Sequence, residues 1–255
     1  MQRQRAYVRG FTLVELAVVL AVAGVYVFLA MSYGNRARTT AQNIGSEFQI
    51  EIVNATLSFA QRNLRLPCAD TDGDGFEGEA GSGCGTNDGS YVMGAVPFRT
   101  LELSLPTEAT STLERSFLYG VYRNTAADAD LTRILERTTD PTTSGRYSEQ
   151  LDFIKALRNA ASAPDATRLR VTGDGAQMGP INCATSFTNV AFVVVFAGPG
   201  DADGNGNVFD GTNSASSWPA GGSNCTASPA QGVSDTYDDV VSAVGFAELT
   251  GRLTQ

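Results

Sequence analysis

The sequence predicts an α+β chain in which one very long N-terminal helix packs against a sheet in a loop-rich head. Three observations carry this. From Phe11 to Tyr33 the chain is apolar with a single charge, Glu15, and no Pro occurs between Phe11 and Pro67. Two segments, SFLYGVY (116–122) and NVAFVVVFAG (189–198), are dense in β-branched and aromatic residues, the composition of strands. Gly accounts for 27 of the 255 residues and gathers between such segments, which marks long loops.

The elements follow in order. Residues 11–33 make about 35 Å of helix, enough to cross a hydrocarbon core of about 30 Å. Arg3, Arg5 and Arg9 precede this run and no basic residue lies within it, which favours a cytoplasmic N-terminus and an outward body. Over 34–63 the helix continues in amphipathic form. Ile44, Phe48, Ile52, Ala55 and Phe59 share one stripe, while Arg36, Arg38, Gln42, Asn43 and Glu47 take other faces. Pro67 is the expected stop, and Gly24 or Gly34 would have to supply any earlier bend. Residues 64–255 form the head. Its strands are 116–122, a shorter LRVTG (169–173), and 189–198, which is apolar on both faces and therefore central. ADADLTRILER (127–137) and YSEQLDFIKALRNAA (147–161) carry helical periodicity, the second with Leu151, Ile154, Leu157 and Ala161 on one face. DDVVSAVGFAELTGRL reads as a strand through Val244 and then a short helix. Segments 78–90 and 198–234 are loops.

Composition excludes several functions. The net charge is −9, and the three leading Arg leave the remainder more acidic still, which argues against a nucleic-acid partner. There is no His, Lys155 is the sole Lys, and neither a phosphate-binding Gly-rich loop nor a G-x-S-x-G elbow occurs. The expectation is a protein that is not an enzyme. The four Cys lie beyond the apolar segment, in an inferred oxidising compartment. Of the three connectivities, Cys68–Cys84 with Cys183–Cys225 is favoured because each pair brackets one Gly-rich loop. The first bridge closes about 15 residues and contributes roughly 3 kcal/mol in the chain-entropy model. Zinc is the competing reading for the thiols, against which stand the lack of His and of C-x-x-C.

The N-terminus admits three readings: a secretory signal peptide with AMS (30–32) as its small-residue cleavage site, a plain anchor, or a processed leader. The stretch RGFTLVE, with its basic leader, Gly10, Phe11 and the acid at Glu15, resembles the class III leader of type IV pilins and type II secretion pseudopilins. That resemblance implies a pilin-like fold, a long helix packed on an antiparallel sheet. It also implies cleavage by a prepilin peptidase between Gly10 and Phe11 and N-methylation of Phe11. The mature helix would then insert into filaments of other subunits through an inner-membrane assembly platform. Residues 1–10 become leader, 11–33 the membrane and filament-core helix, 34–63 its amphipathic continuation and 64–255 the head. Glu15 becomes the fifth mature residue. A carboxylate at the centre of a membrane helix costs roughly 2.5–3.5 kcal/mol, less near an end, and the α-ammonium created at Phe11 is a natural partner.

Two loops resemble cation sites. CADTDGDGFEGE places Asp70, Asp72 and Asp74 at positions 1, 3 and 5 with Gly75 at 6, the first half of an EF-hand-type loop, with Glu77 or Glu79 to complete the shell. GPGDADGNGNVFDG repeats the spacing with Asp201, Asp203, Asn205, Asn207 and Asp210. Strand, Gly-rich acidic loop, then YDDVV resembles the calcium loop of major pseudopilins, which implies Asp238 and Asp239 as further ligands of Ca²⁺. The opposing reading is a solvated acidic turn, since Asp and Gly are good turn formers.

LPCADTDGDG, VPFRTLEL and FLYGVYRN are also similar to a group of prepilin-like proteins with LPCPDTDGDG and PWRTLGL segments. The function expected is a structural filament subunit, a minor pilin or pseudopilin. It would reside in the bacterial inner membrane with a periplasmic head and pass into a pilus or pseudopilus. The alternative is a secreted calcium-binding or adhesive protein released after Ser32.

Overall fold

The structure is a computed structural model that describes residues 13–78, 84, 93–104, 113–138, 149–172, 183, 186–215 and 224–254, with the backbone alone at 34–38 and 41. The chain divides into two compact units, residues 1–43 and 44–255. Helix α1 (Leu13–Asn63) is unbroken, so neither Gly24 nor Gly34 interrupts it.

In the first unit, Leu13–Tyr33 is a 21-residue stretch long and apolar enough to span a membrane. Its large apolar side chains, among them Leu16, Val18, Leu20, Phe28 and Met31, are all at least half exposed. A helix that is apolar all round needs an apolar surrounding, lipid or other helices.

In the second unit, residues 44–63 of α1 bury Gly45, Phe48, Gln49, Ile52, Thr56, Leu57, Phe59 and Ala60. The expected stripe is thus rotated at its start: Ile44 is 51% exposed and Ala55 half-buried, and Gly45 faces inward instead. The reason is space. A Cβ at Gly45 would lie 2.0 Å from the Phe196 ring, so only Gly lets the helix backbone come this close to the sheet. One turn on, the buried Gln49 donates through Nε2 to the carbonyls of Val194 (2.8 Å) and Val240 (2.9 Å), which fixes the helix to two strands. The helix ends before Pro67. Leu64 adopts φ 55° and its N–H returns to the Ala60 carbonyl at 3.0 Å, a left-handed cap usually given to Gly.

The sheet contains β1 (Met93–Gly94), β2 (Phe117–Val121), β5 (Phe192–Phe196) and β7 (Val240–Val244), in the order β1-β2-β5-β7 and antiparallel throughout. As the apolar pattern predicts, β5 is central and buried at every residue. The predicted run 189–198 nevertheless splits. Its first residue closes β4 (Phe187–Asn189), which joins β3 (Arg170–Thr172) and β6 (Cys225–Thr226) in a second, mixed sheet. Phe48 meets Phe117 edge-on at 5.6 Å and stacks on Phe98 at 6.0 Å. Phe117 in turn stacks on Phe196 at 5.1 Å, so one aromatic chain links α1 to β2 and β5.

Segment 127–137 is the clearest departure. Apart from a 3₁₀ turn at Ala127–Ala129 it is not helical. The half-buried Arg137 guanidinium donates to the carbonyls of Ala127, Asp128, Asp130 and Arg133, and this cage holds the chain irregular. Burial lowers the Arg137 pKa, against the attraction of Asp128 and Asp152. Helix α2 (Gln150–Ser162) opens on a capping box of Glu149 and Asp152. Asp152 also accepts from the N–H groups of Arg137 (2.6 Å) and Thr138 (2.7 Å). That anchor turns α2 so that Phe153, Ile154, Ala156, Leu157 and Ala160 are buried and Leu151 is exposed. Helix α3 (Phe246–Leu253) follows β7, where the Gln150 amide donates to the Leu253 carbonyl. Cys68 is joined to Cys84 and Cys183 to Cys225, with Cα separations of 5.4 Å and 6.3 Å.

Gly45→Ala gains about 1 kcal/mol of helix propensity but forces a methyl to within 2.0 Å of the Phe196 ring, a clash in the upper part of the overpacking range, about 2–3 kcal/mol. The net expectation is destabilisation of about 1–2 kcal/mol, read as a lower thermal midpoint of the detergent-solubilised chain by near-ultraviolet circular dichroism. An unchanged or raised midpoint would show that α1 and β5 are not held this closely.

Candidate functional site

The predicted site residues fall in three places. Gly10 and Phe11 lie outside the described residues; Glu15 sits exposed in the first turn of α1. A carboxylate is favoured there by the positive end of the helix dipole.

In the first acidic loop the three Asp are assembled by backbone donors. Asp70, buried, accepts from the N–H groups of Asp72 (3.1 Å), Gly73 (2.7 Å) and Gly75 (2.7 Å). Asp72 accepts from Asp74 N–H and Asp74 from Phe76 N–H. Gly73 and Gly75 take φ near +81° and +86°, which lets the backbone coil around the carboxylates. One oxygen from each Asp lies within 4.8 Å of the others. Burial raises the Asp70 pKa, opposed by its backbone donors. Glu77 is not part of this set. It forms a bidentate pair with Arg65, at 2.7 Å and 2.5 Å, and accepts the Cys68 N–H at 3.0 Å. It therefore braces the Cys68–Cys84 bridge, and the same bridge removes those sulfurs as zinc ligands. Glu79 lies outside the described residues.

The second loop is reached directly from β5. Gly198, at φ +64°, brings the chain against Asp238, where a Cβ would lie 2.4 Å from Oδ1. Asp201 accepts the N–H groups of Asn205 (3.1 Å) and Gly206 (2.8 Å). Asp203 accepts from Asn205 and from Gly211 N–H (3.0 Å), and these bonds, Gly211 foremost, lower its pKa. Asn205 and Asn207 accept the N–H groups of Asn207 and Phe209, so both point into local turns. Asp210 is fully buried. Its Oδ1 accepts from Ala202 and Asp203 N–H, and its Oδ2 from Asp238 N–H at 2.8 Å.

Asp239 is the unusual member. It is 2% exposed, and its Oδ2 accepts the Asp210 N–H (3.0 Å) and the Asn213 amide (2.8 Å). Its Oδ1 is buried without a hydrogen-bond partner. Oxygens of Asp210, Asp238 and Asp239 gather within 4.8 Å of one another. Burial pushes the Asp239 carboxyl up to about 8; the Asn213 and Asp210 donors oppose this, while the charges of Asp210 and Asp238 add to it. Tyr237 beside it is raised for the same reasons. Such a group demands neutralisation by a proton or a cation. An all-oxygen set of this kind suits a hard divalent ion. Asn213 escapes a sequence reading. It is fully buried and links Tyr237, Asp239 and Ala227 N–H, yet GTNSA looks like any polar turn.

The raised carboxyl fixes a sign. With a folded pKa above the unfolded value near 3.9, Asp239 favours folding when protonated and opposes it as pH rises toward 8. In chelator, Asp239→Asn should therefore stabilise the chain by an amount that grows between pH 5 and pH 8, at most about 1.4 kcal/mol for each pH unit, measured as thermal midpoints. A variant less stable than the parent at pH 8 contradicts the buried-carboxylate assignment.

Residues 5–30 match the model of the prokaryotic N-terminal methylation motif. No curated protein and no solved structure matches the chain. That motif, the apolar start of α1 and the antiparallel sheet of residues 93–244 together resemble the type IV pilin and pseudopilin family.

Proposed function

We propose that this chain is a structural subunit, a minor pilin or pseudopilin, of a type IV pilus or type II secretion filament. The observation that carries the reading is the methylation motif at 5–30 running straight into an exposed apolar helix with Glu15 in its first turn. Prepilin peptidase cuts after Gly10 and Phe11 becomes the methylated terminus. The helix holds the chain in the inner membrane, N-terminus inside and head periplasmic, until the assembly platform moves it into the filament. There Glu15 meets the Phe11 ammonium of another subunit, which offsets the cost of a carboxylate in an apolar surrounding and sets axial register.

Mass spectrometry of the mature N-terminus is the deciding experiment. A chain beginning at methylated Phe11 is expected; one beginning at Tyr33 would instead support the secreted calcium-binding or adhesive protein. Glu15→Val should leave membrane insertion intact and lower filament incorporation several-fold, scored by sheared-filament immunoblot. Unchanged incorporation contradicts the pairing.

We also propose Ca²⁺ as a structural ligand of the head. Asp210, Asp238 and Asp239 would hold it, with Asp201 and Asp203 beside them, and Asp70, Asp72 and Asp74 would form a second site. The support is the unpartnered Asp239 oxygen in the first group and the convergent carboxylates in the second. The ion would supply the neutralising charge that the buried cluster lacks. At a hundredfold excess over Kd a single site adds about 2.7 kcal/mol. Calcium should therefore raise the melting midpoint of the parent chain, chelator should lower it, and Asp239→Asn should remove much of the difference. A midpoint indifferent to calcium and chelator alike would exclude both sites.

A further inference from the structure

Asn205 and Gly206 form the one Asn–Gly pair in the sequence, and they lie in an exposed turn of the second acidic loop. Asn is a thermolabile residue, and Gly after it is the most permissive neighbour, because no side chain obstructs the attack of its nitrogen. The chemistry needs only water. The Gly206 nitrogen gives up its proton and bonds to Asn205 Cγ, the Cγ–Nδ2 bond breaks, and ammonia leaves. Water then opens the cyclic imide at either carbonyl. One opening gives aspartate; the other gives isoaspartate, with the main chain rerouted through the side-chain carbon.

Each atom required is held in another interaction. The Gly206 N–H is donated to Asp201 Oδ2 at 2.8 Å. The Asn205 carboxamide is tied at both ends: Oδ1 accepts the Asn207 N–H at 2.7 Å, and Nδ2 donates to Asp203 Oδ2 at 2.9 Å. Ring closure requires the carboxamide to leave both partners and Gly206 to lose its proton. It also builds negative charge on nitrogen, then on the tetrahedral oxygen, beside the carboxylates of Asp201 and Asp203, which oppose it.

We propose that Asn205 is a spontaneous modification site whose rate is set by the fold of this loop. While the turn is closed the residue persists as the amide; when the turn opens it converts to aspartate or isoaspartate. The aspartate product adds a carboxylate among Asp201, Asp203 and Asp210. The isoaspartate product lengthens the backbone by one carbon and cannot rebuild the turn.

The test follows the amide-to-acid mass change at Asn205 by peptide mapping. The full detergent-solubilised chain is incubated at neutral pH with chelator, alongside the same chain unfolded in urea. The folded chain should convert more slowly than the unfolded one. Asp201→Ala, which releases the Gly206 N–H, should speed conversion on the order of tenfold, the population change that follows loss of one charge-assisted hydrogen bond. Asp203→Ala, which frees the Nδ2 end of the amide but leaves its Oδ1 and Gly206 bound, should give a smaller increase, and it carries the test should Asp201→Ala fail to fold. A folded parent that converts as fast as the unfolded chain overturns the proposal. So does a parent rate retained by both variants.

Discussion

At Gly45 the backbone of α1 comes so near the sheet that the Phe196 ring occupies the space where a side chain would begin. The head is arranged around that approach. Phe196 ends β5, the strand paired on one side with β2 and on the other with β7. Gln49, one turn along, reaches β5 and β7 together. With β5 positioned, Gly198 follows within two residues and aims the chain into the second acidic loop, while β7 begins one residue after Asp239. The carboxylate cluster is therefore a by-product of sheet register: two neighbouring strands, one ending and one starting, deliver Asp210 and Asp239 to the same place.

The two acidic loops solve one electrostatic problem to different degrees. Like charges at close range are tolerable where each oxygen finds donors. Asp70 does so through three backbone N–H groups, and Asp210 through three of its own. Asp239 stops short, with one oxygen satisfied and the other buried and bare. Removal from water, more than its charged neighbours, makes its ionised form unfavourable. The difference separates a loop that the backbone alone can sustain from one that calls for a counter-charge.

Much of this fold was legible in the amino-acid order. The long helix, β2, the central β5 and the passage from β7 to α3 each carry a strong local period or composition, and they appear where that signal lies. The failures share a cause, which is that a distant partner outweighed local preference. ADADLTRILER has helical spacing, yet Arg137 finds better use for its donors on four carbonyls than on a helix surface. The inner face of α2 turns away from Leu151 because Asp152 is pinned from 137 and 138. Gly45 replaces Ile44 inside because space, rather than hydrophobicity, is limiting there. Glu77 has the right spacing for a cation loop, but Arg65, twelve residues earlier, takes it. Asn213 had no local signature at all; its role arises from neighbours 24 and 26 residues onward. The match at residues 5–30 needs no fold to be legible, because such a motif resides in the order of residues itself.

The Gln49 contact has a mechanical side. Under the filament role proposed above, α1 would be the handle by which the chain is pulled, and tension along 44–63 would have to pass into the head. One amide bound to the carbonyls of two adjacent strands shares that load between them. Among the described residues β7 has the β5 pairing on one side and no strand on the other, so it is an edge of the sheet and easily peeled. Tying it to the handle makes it move with the pull instead of being stripped by it.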